Sequence, residues 1–106
     1  MRISCSNNNQ DVGVAKRNTI KTFTFDVTND SDKIFTIEVV NGCGCTGSVL
    51  KDNPILPGET SQLEVNFDPN KNALGTWQKV VNLVYYDADL NENKLLPLYF
   101  TVTVEE

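Results

Sequence analysis

The stretch Thr22-Phe23-Thr24-Phe25-Asp26-Val27-Thr28 alternates polar with apolar side chains at every position. Successive side chains of a β-strand point to opposite faces of a sheet, so this alternation predicts a strand with one buried face. The same alternation recurs at residues 35–39, 63–67 and 100–104. No useful length of the sequence has the 3.6-residue apolar spacing of an amphipathic helix. The pattern therefore predicts an all-β domain.

Turn-forming residues separate these runs, for example Asn29-Asp30-Ser31-Asp32, Pro57-Gly58 and Asp68-Pro69-Asn70. Strands of this length at this spacing predict an antiparallel β-sandwich of about seven strands. We expect the apolar members of the alternating runs to form its core: Phe23, Phe25, Phe35, Ile37, Leu63, Val65, Phe67, Leu83, Phe100 and Val102.

Two segments depart from simple alternation. Residues 76–86 carry apolar side chains on both faces, which indicates a central strand or one that a partner covers. Pro97 lies inside the last run, and proline cannot donate a hydrogen bond to a sheet. The sequence therefore predicts that the last strand is an edge strand or contains a bulge.

The totals describe one small acidic domain. The 106 residues suffice for a single sandwich, predicted over residues 11–106. Residues 1–10 are predicted to be an N-terminal arm or linker. For residues 1–5, an extra edge strand of the sandwich is an alternative prediction. A net charge of −5 disfavours nucleic acid and anionic lipid as partners. The sequence contains no stretch of 18 apolar residues that could span a membrane. Its first ten residues lack the apolar region of a signal peptide, so we expect no export signal in this sequence.

The segment Asn41-Gly42-Cys43-Gly44-Cys45-Thr46 contains two of the three cysteines. A structural zinc site needs four Cys or His ligands, and the sequence has no histidine. A single residue separates Cys43 from Cys45, which differs from the Cys-x-x-Cys spacing of redox proteins. We therefore expect free thiols, no metal and no cofactor, with Cys43 and Cys45 packed at a strand end where Gly42 and Gly44 permit a bend.

Catalytic and calcium-binding patterns are missing as well. There is no histidine, nucleophile elbow or phosphate loop. Residues 87–93 match the first positions of a calcium-binding loop, but Glu92 and Leu98 stand where that loop needs glycine and glutamate. The sequence therefore predicts a hairpin loop here, and neither an enzyme nor a small-molecule site.

Several aromatic residues have two interpretations, core packing or contact with a protein partner. The candidate contact residues are Trp77, Tyr86 and Tyr99.

The chain resembles a bacterial Ig-like family of unknown function that carries a Cys-Gly-Cys-Thr motif and is common in Bacteroidetes, related to Hydin-like and major-sperm-protein-like modules. The resemblance covers roughly residues 12–104. Its residues are Phe23-Thr24-Phe25, Val27, Asn29, Phe35, Ile37, Cys43-Gly44-Cys45-Thr46, Pro57-Gly58-Glu59, Val65, Phe67, Asp68 and Gly75. It implies a seven-stranded Ig-like sandwich with a binding or scaffolding role and no catalytic residues. The motif residues Gly42 to Thr46, Pro57 and Gly58 are then structural.

Two functional hypotheses follow. The first is an auxiliary (decoration) capsid protein of a bacteriophage of Bacteroidetes-type hosts, made in the host cytoplasm and placed on the virion surface against a major capsid or other assembly protein. The alternative is an exported lipoprotein module of the periplasm or cell envelope. Ile3-Ser4-Cys5-Ser6 resembles a lipidation site, which would make Cys5 the lipid anchor.

Overall fold

The computed structural model describes residues 3–41, 46–87 and 90–106. These ranges contain a 3₁₀ turn at Pro69–Lys71 and eight β-strands. The strands are β1 (Ile3–Cys5), β2 (Asn9–Lys16), β3 (Lys21–Asn29), β4 (Ile37–Asn41), β5 (Thr46–Leu50), β6 (Thr60–Phe67), β7 (Gly75–Asp87) and β8 (Glu92–Glu105).

The strands form two four-stranded sheets. The first sheet has the order β1-β3-β6-β5 and the second has the order β2-β8-β7-β4. Neighbouring strands are antiparallel except for β2, which runs parallel to β8. The all-β sandwich predicted from the alternation is confirmed, and the short N-terminal strand β1 brings the strands of the described residues to eight, against about seven expected.

The core lies between the two inner faces. Nine of the ten predicted core residues are buried, because one face of each alternating strand points inward. The tenth, Phe23, is half-buried and its ring centroid lies 4.7 Å from that of Phe100. The largest fully buried side chains come from both sheets: Phe25, Phe67, Phe100, Ile55, Leu63, Leu83 and Leu98.

Residues 1–10 differ from the predicted arm. Residues 3–5 form β1, which pairs with β3 through Ile3 opposite Asn29 and Cys5 opposite Val27. The side chains of Ile3 and Cys5 are buried in the core. Residues 9 and 10 already belong to β2. The described part of this segment is therefore integral to the sandwich, and the alternative of an extra edge strand describes residues 3–5.

The two departures from simple alternation have separate outcomes. The central position expected for residues 76–86 is confirmed, because β7 lies between β8 and β4. The last strand, β8, is also central, so the edge position predicted from Pro97 is wrong for the strand as a whole. However, β2 pairs with β8 only from Tyr99 onward, and the Tyr99 N–H donates to the Asn8 carbonyl at 2.8 Å. Pro97 lies two residues before Tyr99, so its nitrogen faces the same edge of β8 as the Tyr99 N–H. β2 does not extend to this position, so the missing N–H of Pro97 costs no hydrogen bond between the strands.

One buried polar side chain organises an end of the sandwich. Asn29 is fully buried, and its Nδ2 donates to the carbonyls of Lys33 at 2.6 Å and Ile55 at 2.8 Å. Its Oδ1 accepts from the Ser31 hydroxyl at 2.6 Å. A buried amide needs such partners, and here they hold the loop after β3 against the loop before β6. The sequence pattern marked Asn29 only as a turn residue.

Candidate functional site

The two outer faces of the sandwich differ in chemistry. The outer face of the first sheet is polar apart from Val49 on β5 and carries Thr22, Thr24, Asp26, Thr28, Thr60, Gln62, Glu64 and Asn66. The outer face of the second sheet carries a set of uncharged, mostly apolar side chains. We call this set the apolar face: Val40, Val80, Val84, Tyr86, Leu95, Pro97 and Tyr99.

Strand register brings these residues together. On β7 and β8, Val80 lies opposite Tyr99 and Val84 lies opposite Leu95, whereas Asn82 lies opposite Pro97. On the other side of β7, Val40 of β4 also lies opposite Asn82. Directly opposed residues have Cβ atoms about 5 Å apart, so the side chains form one continuous surface. From Tyr99 to Leu95 it extends about 13 Å along the strand.

The apolar face is open to solvent. The exposed fractions of Tyr99, Val40, Tyr86 and Leu95 lie between 39% and 60%. The Tyr86 hydroxyl donates to Asn91 Oδ1, which fixes the ring over this end of the sheet. Glu38, opposite Val84, is a charged residue at the margin. Contiguous exposed apolar residues bounded by polar ones are typical of protein-interaction sites.

The structure separates the three predicted contact residues. Tyr86 and Tyr99 both lie on the apolar face. Trp77 lies opposite Val102 and so points to the inner side of the sheet, beyond the end of the core. Its Nε1 donates to the Ala73 carbonyl at 2.9 Å, and Lys79 Nζ lies 4.7 Å from its ring centroid. Trp77 therefore belongs to a different surface from the two tyrosines.

The glycine- and cysteine-containing motif is only partly described. Gly42, Cys43, Gly44 and Cys45 lie outside the described residues, so their predicted role stays a prediction. Thr46 begins β5 opposite Phe67. Pro57 precedes Gly58, whose φ of +76° favours glycine, and the Gly58 N–H donates to the Asn29 carbonyl at 2.9 Å. Gly58 therefore turns the chain into β6 beside Asn29.

The position of Cys5 opposes its proposed role as a lipid anchor. Its side chain is buried, and its thiol donates to Asn7 Oδ1 at 3.1 Å. An acyl chain on this sulfur would have no space in a close-packed core. The burial of Cys5 therefore argues against a lipid anchor on this sulfur, and the cell-envelope location stays a prediction.

Burial also raises the pKa of the Cys5 thiol. The thiolate is the reactive form, so we expect Cys5 to react with Ellman's reagent at pH 8 at least about tenfold more slowly in the folded chain than in the unfolded chain. Protein unfolded without reductant should give three reactive thiols per chain. A titre of one would show that Cys43 and Cys45 are bonded, and fast reaction of a Cys43→Ser, Cys45→Ser variant in the folded state would contradict the burial of Cys5.

Metal and membrane signals are missing from the described ranges. Residues 3–41, 46–87 and 90–106 contain no group of three or more candidate metal ligands. The same residues include no helix long and apolar enough to cross a membrane.

Comparisons with known proteins identify the fold and a family. Residues 3–104 match the model of a family described as a protein of unknown function (DUF1573). No curated protein sequence matches the chain. The taxonomic origin and the Cys-Gly-Cys-Thr motif attached to the resemblance above stay predictions.

Among solved structures, the chain is similar to PapD-like domain 7 of human CEP192, with a TM-score of 0.75, 6% identity, and coverage of 98% of this chain and 85% of that one. It is also similar to the YadV chaperone, with a TM-score of 0.75, 9% identity, and coverage of 100% and 53%. The periplasmic chaperone SfaE follows with a TM-score of 0.66, 12% identity, and coverage of 99% and 59%. The chain thus spans little more than half of either chaperone. These likenesses confirm the predicted Ig-like sandwich fold.

Proposed function

The chain belongs to the DUF1573 family, which has no assigned function, and on that premise we propose that it is a non-enzymatic module that binds a protein through its apolar face. The observation that carries this proposal is the contrast between the two outer faces of one sandwich. The outer face of the first sheet is polar apart from Val49, whereas the second has valine, leucine, proline and tyrosine side chains grouped at its centre, with polar residues such as Gln78, Thr101 and Glu38 around them. A contiguous group of exposed apolar residues bounded by polar ones is typical of a surface that a protein partner covers.

The chemistry of the face points to protein as the partner. Covering apolar side chains stabilises a complex by about 25 cal/mol for each Å² removed from water. Tyr86 and Tyr99 add the large, rigid side chains that are enriched at protein interfaces. The net charge of −5 and the uncharged apolar face provide no attraction for nucleic acid or anionic lipid.

The exposed strand edges are less suited to docking. Asn53 pairs with the outer edge of β4 as a strand would, because its Oδ1 accepts from the Ile37 N–H at 3.0 Å and its Nδ2 donates to the Ile37 carbonyl at 2.8 Å. On β2 the register shifts between Asp11 and Gly13, and bulges of this kind obstruct edge pairing. On the second sheet we therefore place docking on the apolar face and not on the edge strands β2 and β4.

We propose two alternative locations for the chain and its partner, the virion surface and the cell envelope. The acidic charge and the expected free thiols support the auxiliary capsid protein, which is made in a reducing cytoplasm. The likeness to the periplasmic chaperone SfaE supports the cell-envelope module. Mass spectrometry of purified virions and of envelope fractions from the source separates the versions, since the chain should be enriched in one of them only.

Photo-crosslinking tests the docking proposal directly. We expect p-benzoylphenylalanine placed at Tyr86 or Tyr99 to form a covalent adduct with a protein when the chain is expressed in its source cells. The same group placed at Thr24 or Asn66, on the polar outer face, is the matched control. Adducts confined to the apolar face support the proposal. Equal adducts at all four positions, or adducts at the control positions only, would overturn it.

A further inference from the structure

We propose that the occupant of the apolar face is a second copy of this chain, packed face to face about a two-fold axis that passes close to Asn82. This inference rests on the proposed docking function and names its partner. The resulting dimer directs its two polar outer faces away from the contact, where they remain available to a larger assembly.

Asn82 provides the first argument. It lies in the middle of the apolar face, between Val80 and Val84 along β7 and between Pro97 and Val40 on the adjacent strands. Its half-buried side chain forms no hydrogen bond with the described part of the chain. Any partner that covers the face must satisfy this amide, because an amide that is buried without a hydrogen-bond partner destabilises the complex.

A second copy satisfies the amide by symmetry. A carboxamide has both donors and an acceptor, so two Asn82 side chains near a two-fold axis can each donate to the other. In a two-fold interface the same patch must be complementary to itself, and a reciprocal amide pair meets that condition. A single buried asparagine also fixes register in other symmetric assemblies, because a shifted partner leaves it unpaired.

Charge provides the second argument. Two copies each carry a net charge of −5, so they repel unless they meet through a surface free of like charge. The apolar face contains no ionisable carboxylate or amine among its seven residues. The opposite outer face carries Asp26 and Glu64, which self-association would bring together. The carboxylates on the outer side of the second sheet, Asp11, Glu38 and Glu105, lie outside the seven residues of the apolar face, so two copies can meet through those seven residues with less repulsion.

The available area is compatible with a dimer. A contact over the whole second sheet has the apolar face at its centre and a polar margin that includes Asp11, Glu38 and Gln78 around it. Strand spacings of about 4.8 Å with about 3.3 Å per residue give this whole sheet a projected area of about 600 Å². A standard interface buries about 800 Å² of accessible surface on each partner, and accessible surface exceeds projected area where side chains protrude. Stacked sheets also pack face to face about 10 Å apart, which leaves room for interdigitating valine, leucine and tyrosine side chains.

Sedimentation equilibrium at pH 7 tests the dimer. We expect the full chain to reach twice its monomer mass of 11.8 kDa as its concentration increases. Leu95→Lys should weaken the dimer by at least about tenfold, because both copies bring a new charge into the contact. The matched control is Val49→Lys, the same class of change at an exposed position on the opposite outer face, and it should leave the dimer constant unchanged.

The variant Asn82→Asp tests whether the two-fold axis of the dimer passes close to Asn82. It should also weaken the dimer by at least about tenfold, since it places two carboxylates near each other, whereas Asn66→Asp on the opposite face makes the same charge change without effect. Equal effects of Leu95→Lys and Val49→Lys, or no effect of Asn82→Asp, would overturn the proposed contact. A chain that stays monomeric at millimolar concentration would overturn the dimer. In that case crosslinks from Tyr86 to a different protein would still support docking, so the two proposals fail separately.

Discussion

Replacing Phe67 with alanine is expected to lower the free energy of unfolding by about 3–5 kcal/mol. Phe67 is fully buried at the end of β6, where it pairs with both Lys21 of β3 and Thr46 of β5. Its ring centroid lies 5.9 Å from that of Phe100, so the side chain joins the first sheet to the second. The substitution therefore removes apolar contacts and leaves a cavity between the sheets. A small domain has only about 5–15 kcal/mol of stability, so this loss is a large part of it.

Urea denaturation followed by circular dichroism and by the fluorescence of Trp77 measures this loss. The control is Leu74→Ala, an exposed position outside both outer faces, where we expect a change within about 0.5 kcal/mol. A loss below about 1 kcal/mol for Phe67→Ala would mean that the two sheets do not pack as described.

Deletion of residues 1–10 is expected to lower the free energy of unfolding by at least about 3 kcal/mol, and the truncated chain should be largely unfolded if the parent is marginal. The deletion removes the buried side chains of Ile3 and Cys5 and exposes the edge of β3. It also removes Asn7, whose Oδ1 accepts from the Asp26 N–H at 3.0 Å. This outcome differs from that of a removable arm, whose loss would leave the fold intact.

The matched control removes Met1 and Arg2 only, which shortens the chain but leaves β1 in place. Both truncated proteins are compared with the full chain by thermal denaturation and by one-dimensional proton NMR of the methyl region. If the chain lacking residues 1–10 melts within a few degrees of the control, β1 contributes little and the segment acts as an arm after all.

The sequence predicted the core well because the alternation is a local signal. Phe25, Leu63 and Val65 alternate with exposed neighbours, and that period alone identifies their buried face. The same signal fails for β1 and β2. β1 is too short to show a period, and β2 is mostly exposed and interrupted by Gly13. Both strands are stabilised by pairing with β3 and β8, which are distant in sequence, so no local pattern identifies them.

The candidate site was predictable only in part. The sequence alone shows that residues 76–86 have apolar side chains on both faces. Because alternate residues of a strand share a face, it also shows that Trp77 lies on the same face as Val81 and that Tyr86 lies on the other. The contributions of Val40 and Leu95 depend on the register of β4 and β8 against β7, which the sequence does not fix. The central position of Asn82 follows from that register as well.

The parallel pairing of β2 with β8 has a mechanical consequence. β2 begins with Asn9 beside Tyr99 and ends with Lys16 beside Glu105, at the carboxyl end of β8. A force that separates the two ends of the chain acts first on β1, which pairs with β3. Once β1 has separated, the force draws β2 toward Asn9 and β8 toward Glu105, so these two strands slide past each other. Sliding loads all the hydrogen bonds of the ladder together, whereas peeling would break them singly, so the ladder of β2 and β8 resists tension between the two ends of the chain.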